Sequence, residues 1–174
     1  MNETSQSSSN PASTKVGKES NRVFLVVVNE SEELASVLHY ACNRALHTGG
    51  KIALLYLIDT ESSKDFQHWQ FVGDMVEEEA QEAAENALNR HAEHVIKKTG
   101  IPPIKHIRKG NPRDELFSLV KENPEISILL LGFSQNDKQG PLVEAVTGKN
   151  AGQIGIPVTL VPGSLSAEEI DHLT

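Results

Sequence analysis

The chain has 174 residues, 38% of them hydrophobic, with a formal net charge of −8 and a pI near 5.3. That length suits one domain plus a tail. The acidic balance argues against a nucleic-acid partner, because phosphate contacts need clustered Lys and Arg. No apolar run reaches the ~18 residues of a membrane-spanning helix, so no membrane partner is expected.

Residues 1–20 are rich in Ser, Asn and Thr and lack an apolar stretch. They read as a disordered arm rather than a secretion signal. Val23 to Val28 is a first strand. Ser31 to Thr48 is a helix, with Leu34, Val37, Leu38, Ala41 and Ala45 at helical spacing and Gly49-Gly50 ending it. Either Asn29 or Ser31 can cap it. Ile52 to Ile58 is a second strand. The connection from Asp59 to about Phe71 carries Phe66, His68, Trp69 and Phe71, which either form a lid near the sheet edge or pack the loop onto the body.

Val72 to Thr99 is the longest helix, closed by Gly100 and followed by Pro102-Pro103. Ile104 to Lys109 is a third strand. Asn111 caps the next helix, with Pro112 at its first position, where a missing N–H costs nothing. Ile126 to Leu131 is the fourth strand. Pro141 to about Ile154 is a helix, and Val158 to Val161 the fifth strand. Ser166, with Glu169 three residues on, opens a final helical turn as a capping box. The domain therefore spans 21–163, between the arm and a tail at 164–174.

This alternation predicts an α/β fold, a doubly wound five-stranded parallel sheet with right-handed crossovers. Strands one, two and four are apolar at nearly every position, so both their faces are covered. Strand three is polar (Lys105, His106, Arg108, Lys109), and strand five is short and flanked by Pro157 and Pro162, so both suit edges. The order 3-2-1-4-5 satisfies this. It places the switch point between strands one and four, where the loops Asn29–Ser31 and Gly132–Pro141 line a crevice.

Few residues suggest catalysis. Ser134 has no nucleophile elbow around it, and no nucleophile–base–acid set stands out. His91 and His94 have i, i+3 spacing without a third ligand, and read as a solvated helical face. Gly148-Lys149 is not a P-loop, since Val143 and Asn150 stand where Gly and Ser or Thr are required. No catalytic or metal residues are expected, and the reading is not that of an enzyme. The single Cys42 suits a reducing compartment, hence the cytoplasm.

Four features in order carry a family resemblance. They are Val26-Val27-Val28-Asn29, Lys109-Gly110-Asn111-Pro112, Leu130-Leu131-Gly132 and Ile156-Pro157-Val158. Together they resemble the universal stress proteins from Arg22 to Pro162. The resemblance implies the adenine nucleotide alpha hydrolase-like fold and a homodimer paired through strand five. It also implies a crevice for ATP or AMP, with Asn29, Ile58, Gly132, Gly140, Gly148 and Lys149 as its binding residues.

The family loop follows Gly-x2-Gly-x9-Gly-[Ser/Thr]. Here Gly132 fits, Gln135 replaces the second glycine, Gly140 and Gly148 stand for later ones, and Lys149 replaces the hydroxyl residue. Lys149 or Lys138 offers a charge for phosphate, while Asn29 replaces a carboxylate expected at the end of strand one. Two readings stay open: a stress-response or regulatory module that binds an adenine nucleotide weakly, and a non-binding homodimeric interaction protein whose crevice Gln135 or Lys149 fills.

Overall fold

The computed structural model describes residues 22–61, 73–134, 140–149 and 151–174. The expected N-terminal arm, the aromatic residues Phe66, His68, Trp69 and Phe71, and the loop residues Gln135 and Lys138 lie outside these.

The strands are β1 (Val23–Val28), β2 (Lys51–Asp59), β3 (Ile104–Gly110), β4 (Ile126–Phe133) and β5 (Val158–Pro162). The helices are α1 (Leu34–Thr48), α2 (Gly73–Thr99), α3 (Pro112–Glu122), α4 (Pro141–Thr147) and α5 (Ala167–Leu173), with a 3₁₀ turn at Ala151–Ile154. All strand pairs are parallel, in the order β3-β2-β1-β4-β5. The expected order is the observed one. Burial follows polarity: every residue of β1 is buried, whereas β3 has none that is.

Side chains alternate across the sheet and separate two cores. On one face Phe24, Val26, Val28 and Leu54 pack against Val37, Leu38 and Ala41 of α1 and Leu88 and Val95 of α2. On the other, Leu25, Val27, Leu55 and Leu129 pack against Leu116 and Leu119 of α3 and Val143 and Val146 of α4. Each fully buried Leu contributes about 1.5–3 kcal/mol of burial energy, so both faces of the central strands hold the sheet.

Local signals hold at several ends. Gly49 takes the left-handed conformation (φ 68°) and donates its N–H to the Ala45 carbonyl. The Asn111 side chain accepts from the Arg113 and Asp114 amides at the start of α3. Ser166 and Glu169 form the reciprocal capping box of α5.

Two expectations need correction. The helix from Pro141 does not run to Ile154. It stops at Thr147, because Gly148 turns extended (ψ −167°), and the chain resumes as the 3₁₀ turn. Neither Asn29 nor Ser31 caps α1. The helix begins after Glu33, and the Asn29 side chain instead accepts from the Ser31 amide (3.3 Å) and hydroxyl (2.8 Å), closing an Asx turn before the helix.

After Pro162 the chain turns back over α1. Ser36 donates to the carbonyls of Gly163 and Leu165. Asp171 of α5 accepts from Asn43 (2.7 Å) and lies 2.6 Å from His39 Nε2. Ile170 is buried beneath this polar seam. The tail therefore docks on α1, away from the β5 edge.

Candidate functional site

The crevice opens where β1 and β4 diverge, at the carboxyl ends of the strands, because the chain leaves these neighbouring strands toward opposite faces. It is a cavity of about 510 Å³, a size that suits a small ligand. Its floor is apolar: Val27, Leu57, Leu131 and Val143 all belong to the face packed by α3 and α4. Its rim carries Asn29, Ser31, Glu33 and Ser134, and the entry to α4 at Gly140 and Pro141 closes one side.

Three of the expected site residues meet here: Asn29, Gly132 and Gly140. The other three do not line the cavity. Ile58 shares the strand parity of Tyr56, which packs on the α1 and α2 face, and its neighbour Leu57 reaches the crevice instead. The sequence held the signal for Leu57, because period-two alternation in register with Val27 puts Leu57 on that floor. Gly148 and exposed Lys149 lie past the far end of α4. The expected filling of the crevice by Lys149 therefore does not occur.

Glu33 is the residue that sequence reasoning missed. It precedes α1 without serving as a side-chain cap, and its stem fits between two glycines from distant segments. A Cβ on Gly132 would come within 2.7 Å of Glu33 Cβ, and one on Gly163 would collide with Glu33 Cγ. Its own backbone amide, then the Ser31 hydroxyl and, more weakly, the Ser134 hydroxyl hold the carboxyl below the usual glutamate range, against a smaller opposing effect of burial. Glu33 is therefore a carboxylate at neutral pH, at the crevice rim.

These residues fit the nucleoside part of a nucleotide better than its phosphates. The floor suits a base, Glu33 offers an acceptor for a ribose hydroxyl, and Asn29, whose oxygen is held by Ser31, offers its amide N–H groups as donors. Among the described lining residues there is no Lys or Arg, so nothing there neutralises phosphate charge.

Fold and crevice together define a doubly wound α/β domain with a ligand-sized cleft at its switch point. A family model described as the universal stress protein family matches residues 20–162. The chain belongs to the universal stress protein family.

Solved structures share the architecture. Universal stress protein UspA from Lactobacillus plantarum is similar at 18% identity and a TM-score of 0.63, over 81% of this chain and 97% of that one. A universal stress protein family member from Burkholderia pseudomallei matches at 13% identity and a TM-score of 0.61, over 83% and 98%. A universal stress protein in complex with cAMP matches at 14% identity and a TM-score of 0.54, over 82% and 98%. No curated protein sequence matches the chain significantly.

Among the described residues, no helix is long and apolar enough to cross a membrane, and no cluster of His, Cys, Asp and Glu has metal-binding geometry.

Proposed function

We propose that this chain is a cytoplasmic stress-response or regulatory module, without catalytic activity, whose crevice between β1 and β4 takes an adenine nucleotide weakly. The carrying observation is the cleft itself: an apolar floor of Val27, Leu57 and Leu131 beneath a rim of Asn29, Glu33 and Gly132. A structural neighbour carries cAMP, an adenine nucleotide with a single phosphate. In this reading the base and ribose supply the affinity and the phosphates supply little. Each lost hydrogen bond to a charged group costs about 1.5–3 kcal/mol, and ~1.4 kcal/mol is tenfold, so ATP binds far more weakly than at an intact phosphate loop.

Isothermal titration with adenosine, AMP, cAMP and ATP tests this. Adenosine, AMP and cAMP are expected to bind at least as well as ATP. No heat from any of them would leave the interaction-protein reading. Low-micromolar ATP would show that the phosphates are held after all.

The second reading, a homodimer, has its own support. Pairing with β4 uses one side of β5, and the tail docks on α1 rather than over the other. Val158, Thr159 and Leu160 are only half-buried there. An edge of this composition is suited to pairing with a second copy. Pairing by itself is compatible with nucleotide binding, since the crevice and the β5 edge are different surfaces; the second reading differs from the first in leaving the crevice without a nucleotide.

A further inference from the structure

A second cavity is larger than the crevice. It is a cleft of about 920 Å³ on the opposite face of the sheet, enclosed by α1, α2 and α5. Its apolar lining includes Leu34, Leu38, Tyr56, Ala87, Leu165 and Ile170. Asn29 and Ser31 border both cavities, so the Asx turn after β1 is the ridge between them.

Charge is distributed unevenly around this cleft. The whole chain carries −8, yet α2 presents the adjacent Arg90 and His91, and His94 one turn on, to the cavity, with Lys98 a turn further along the helix. Arg90 has no hydrogen-bond or ion-pair partner in the described structure, so its charge is available. From α1, His39 faces the same space, with Asp171 of α5 on one ring nitrogen and Lys98 Nζ 3.4 Å from the other. Apart from Asp171, the acidic groups lie elsewhere. Glu30 and Glu32 line the end beside Asn29, and His39 stands seven residues beyond Glu32, roughly 10 Å along a helix axis. Tyr56 of β2 is the remaining titratable group on the lining.

We propose that this cleft is a second ligand site, for a small organic anion whose apolar body lies over Leu34, Leu38 and Ile170 and whose anionic group meets Arg90 and His94. A pocket of this kind fixes a ligand with an apolar wall and a few convergent polar groups, which is the arrangement found here.

The state of the histidines supports it. Burial, then the charges of Arg90 and His94, hold His91 below the usual imidazole range. Burial, then Lys98, His39 and Lys97, do the same for His94. The permanent charges that depress these two rings, Arg90, Lys98 and Lys97, are all cations. Both rings are neutral near pH 7 and gain protons on acidification. An anion favours the protonated rings, and by linkage acidification favours the anion. Binding therefore tightens as pH falls through the depressed histidine pKa values.

The probe is 8-anilinonaphthalene-1-sulfonate, an apolar anion that stays ionised throughout and fluoresces when sheltered from water. The full chain is titrated at about pH 7.5 and about pH 5.5, the range in which histidine charge changes. Saturable binding at one site is expected, several-fold tighter at the lower pH. Adenosine at saturating concentration should not displace the dye. The Arg90→Gln/His94→Gln double variant should weaken binding at least about a hundredfold at the lower pH, since two charge-assisted contacts are lost. Ala35→Trp, which fills the cleft from the exposed side of α1 without altering charge, should abolish it. Near-ultraviolet circular dichroism establishes that each variant is folded. The proposal is overturned by absent saturable binding, by displacement with adenosine, by unchanged affinity in both variants, or by dye binding only where the circular dichroism is lost.

Discussion

Glu33 and Gly132 occupy one another's space: a Cβ on the glycine would come within 2.7 Å of the glutamate Cβ. The glycine near the end of β4 is therefore required by the entry of the chain into α1, independently of any ligand. Gly132→Ala is expected to destabilise the fold by about 1–3 kcal/mol through overpacking against a backbone-fixed neighbour. Glu33→Gly in the same chain should recover part of the loss. Urea midpoints of the two single variants and the double variant check this, and additive losses would show that the contact is not the cause.

The same carboxylate bears on ligand choice. Two unit charges about 4 Å apart in water interact by ~1 kcal/mol, so Glu33→Gln should raise ATP affinity a few-fold while changing adenosine affinity little. Lys149→Ser should leave both affinities within about twofold, because Lys149 lies outside the crevice. Titration calorimetry reads both variants, and a clear loss of ATP binding from Lys149→Ser would place that side chain on the phosphates in solution.

Cys42 is fully buried in the core between α1 and the sheet, and desolvation pushes its thiol up to about 11 from 9.0, despite the opposing charge of Lys98. Near pH 8 its thiolate population is thus about a hundredfold lower than that of an unshifted thiol. Reaction with 5,5′-dithiobis(2-nitrobenzoate) should be slow in the native chain and rapid in urea. Fast native labelling would show that α1 opens readily.

Docking of α5 depends on the Asp171 carboxylate. Hydrogen bonds from His39, then Asn43, hold Asp171 below the ordinary 3.8 of an aspartate. A depressed carboxyl contributes stability that is present above the unfolded value and lost as pH falls through the folded one. The amides of α5 should therefore lose hydrogen-exchange protection below about pH 3.8, ahead of those of β1, whereas Asp171→Asn should flatten that dependence. Simultaneous loss in α5 and β1 would show that the tail does not open independently.

The proposed dimer would use the outer edge of β5. The Pro157 carbonyl accepts from Leu129, so alternate residues from Pro157 onward face β4 and Leu160 directs its N–H outward. Leu160→Pro removes an outward donor without breaking the β4 ladder. Light scattering should report a dimer for the unaltered chain and a monomer for the variant. A monomer in both cases would rule out pairing through this edge.

The sheet was legible in the sequence because strand order follows from gross polarity. Strands buried on two faces read as unbroken apolar runs, and Lys105, Arg108 and Lys109 mark β3 as an edge. Caps at Asn111 and Ser166 were legible too, because capping is a local exchange between a side chain and the next few amides. The candidate site was only half legible. Asn29, Gly132 and Gly140 follow from the switch point, but Ile58 and Leu57 differ by one step of parity, which register with Val27 decides. The break at Gly148 after α4 is likewise a backbone choice that helical spacing does not reveal. What only the tertiary structure decided is the role of Glu33. Its stem lies between glycines 99 and 130 residues away in the chain, Gly132 and Gly163, and its carboxylate faces a cleft that no local pattern announces. The sequence determined which faces are buried, since burial is set residue by residue through hydrophobicity. The fold determined which charges meet, since a charge acts over the few ångströms between segments that only the packed chain brings together.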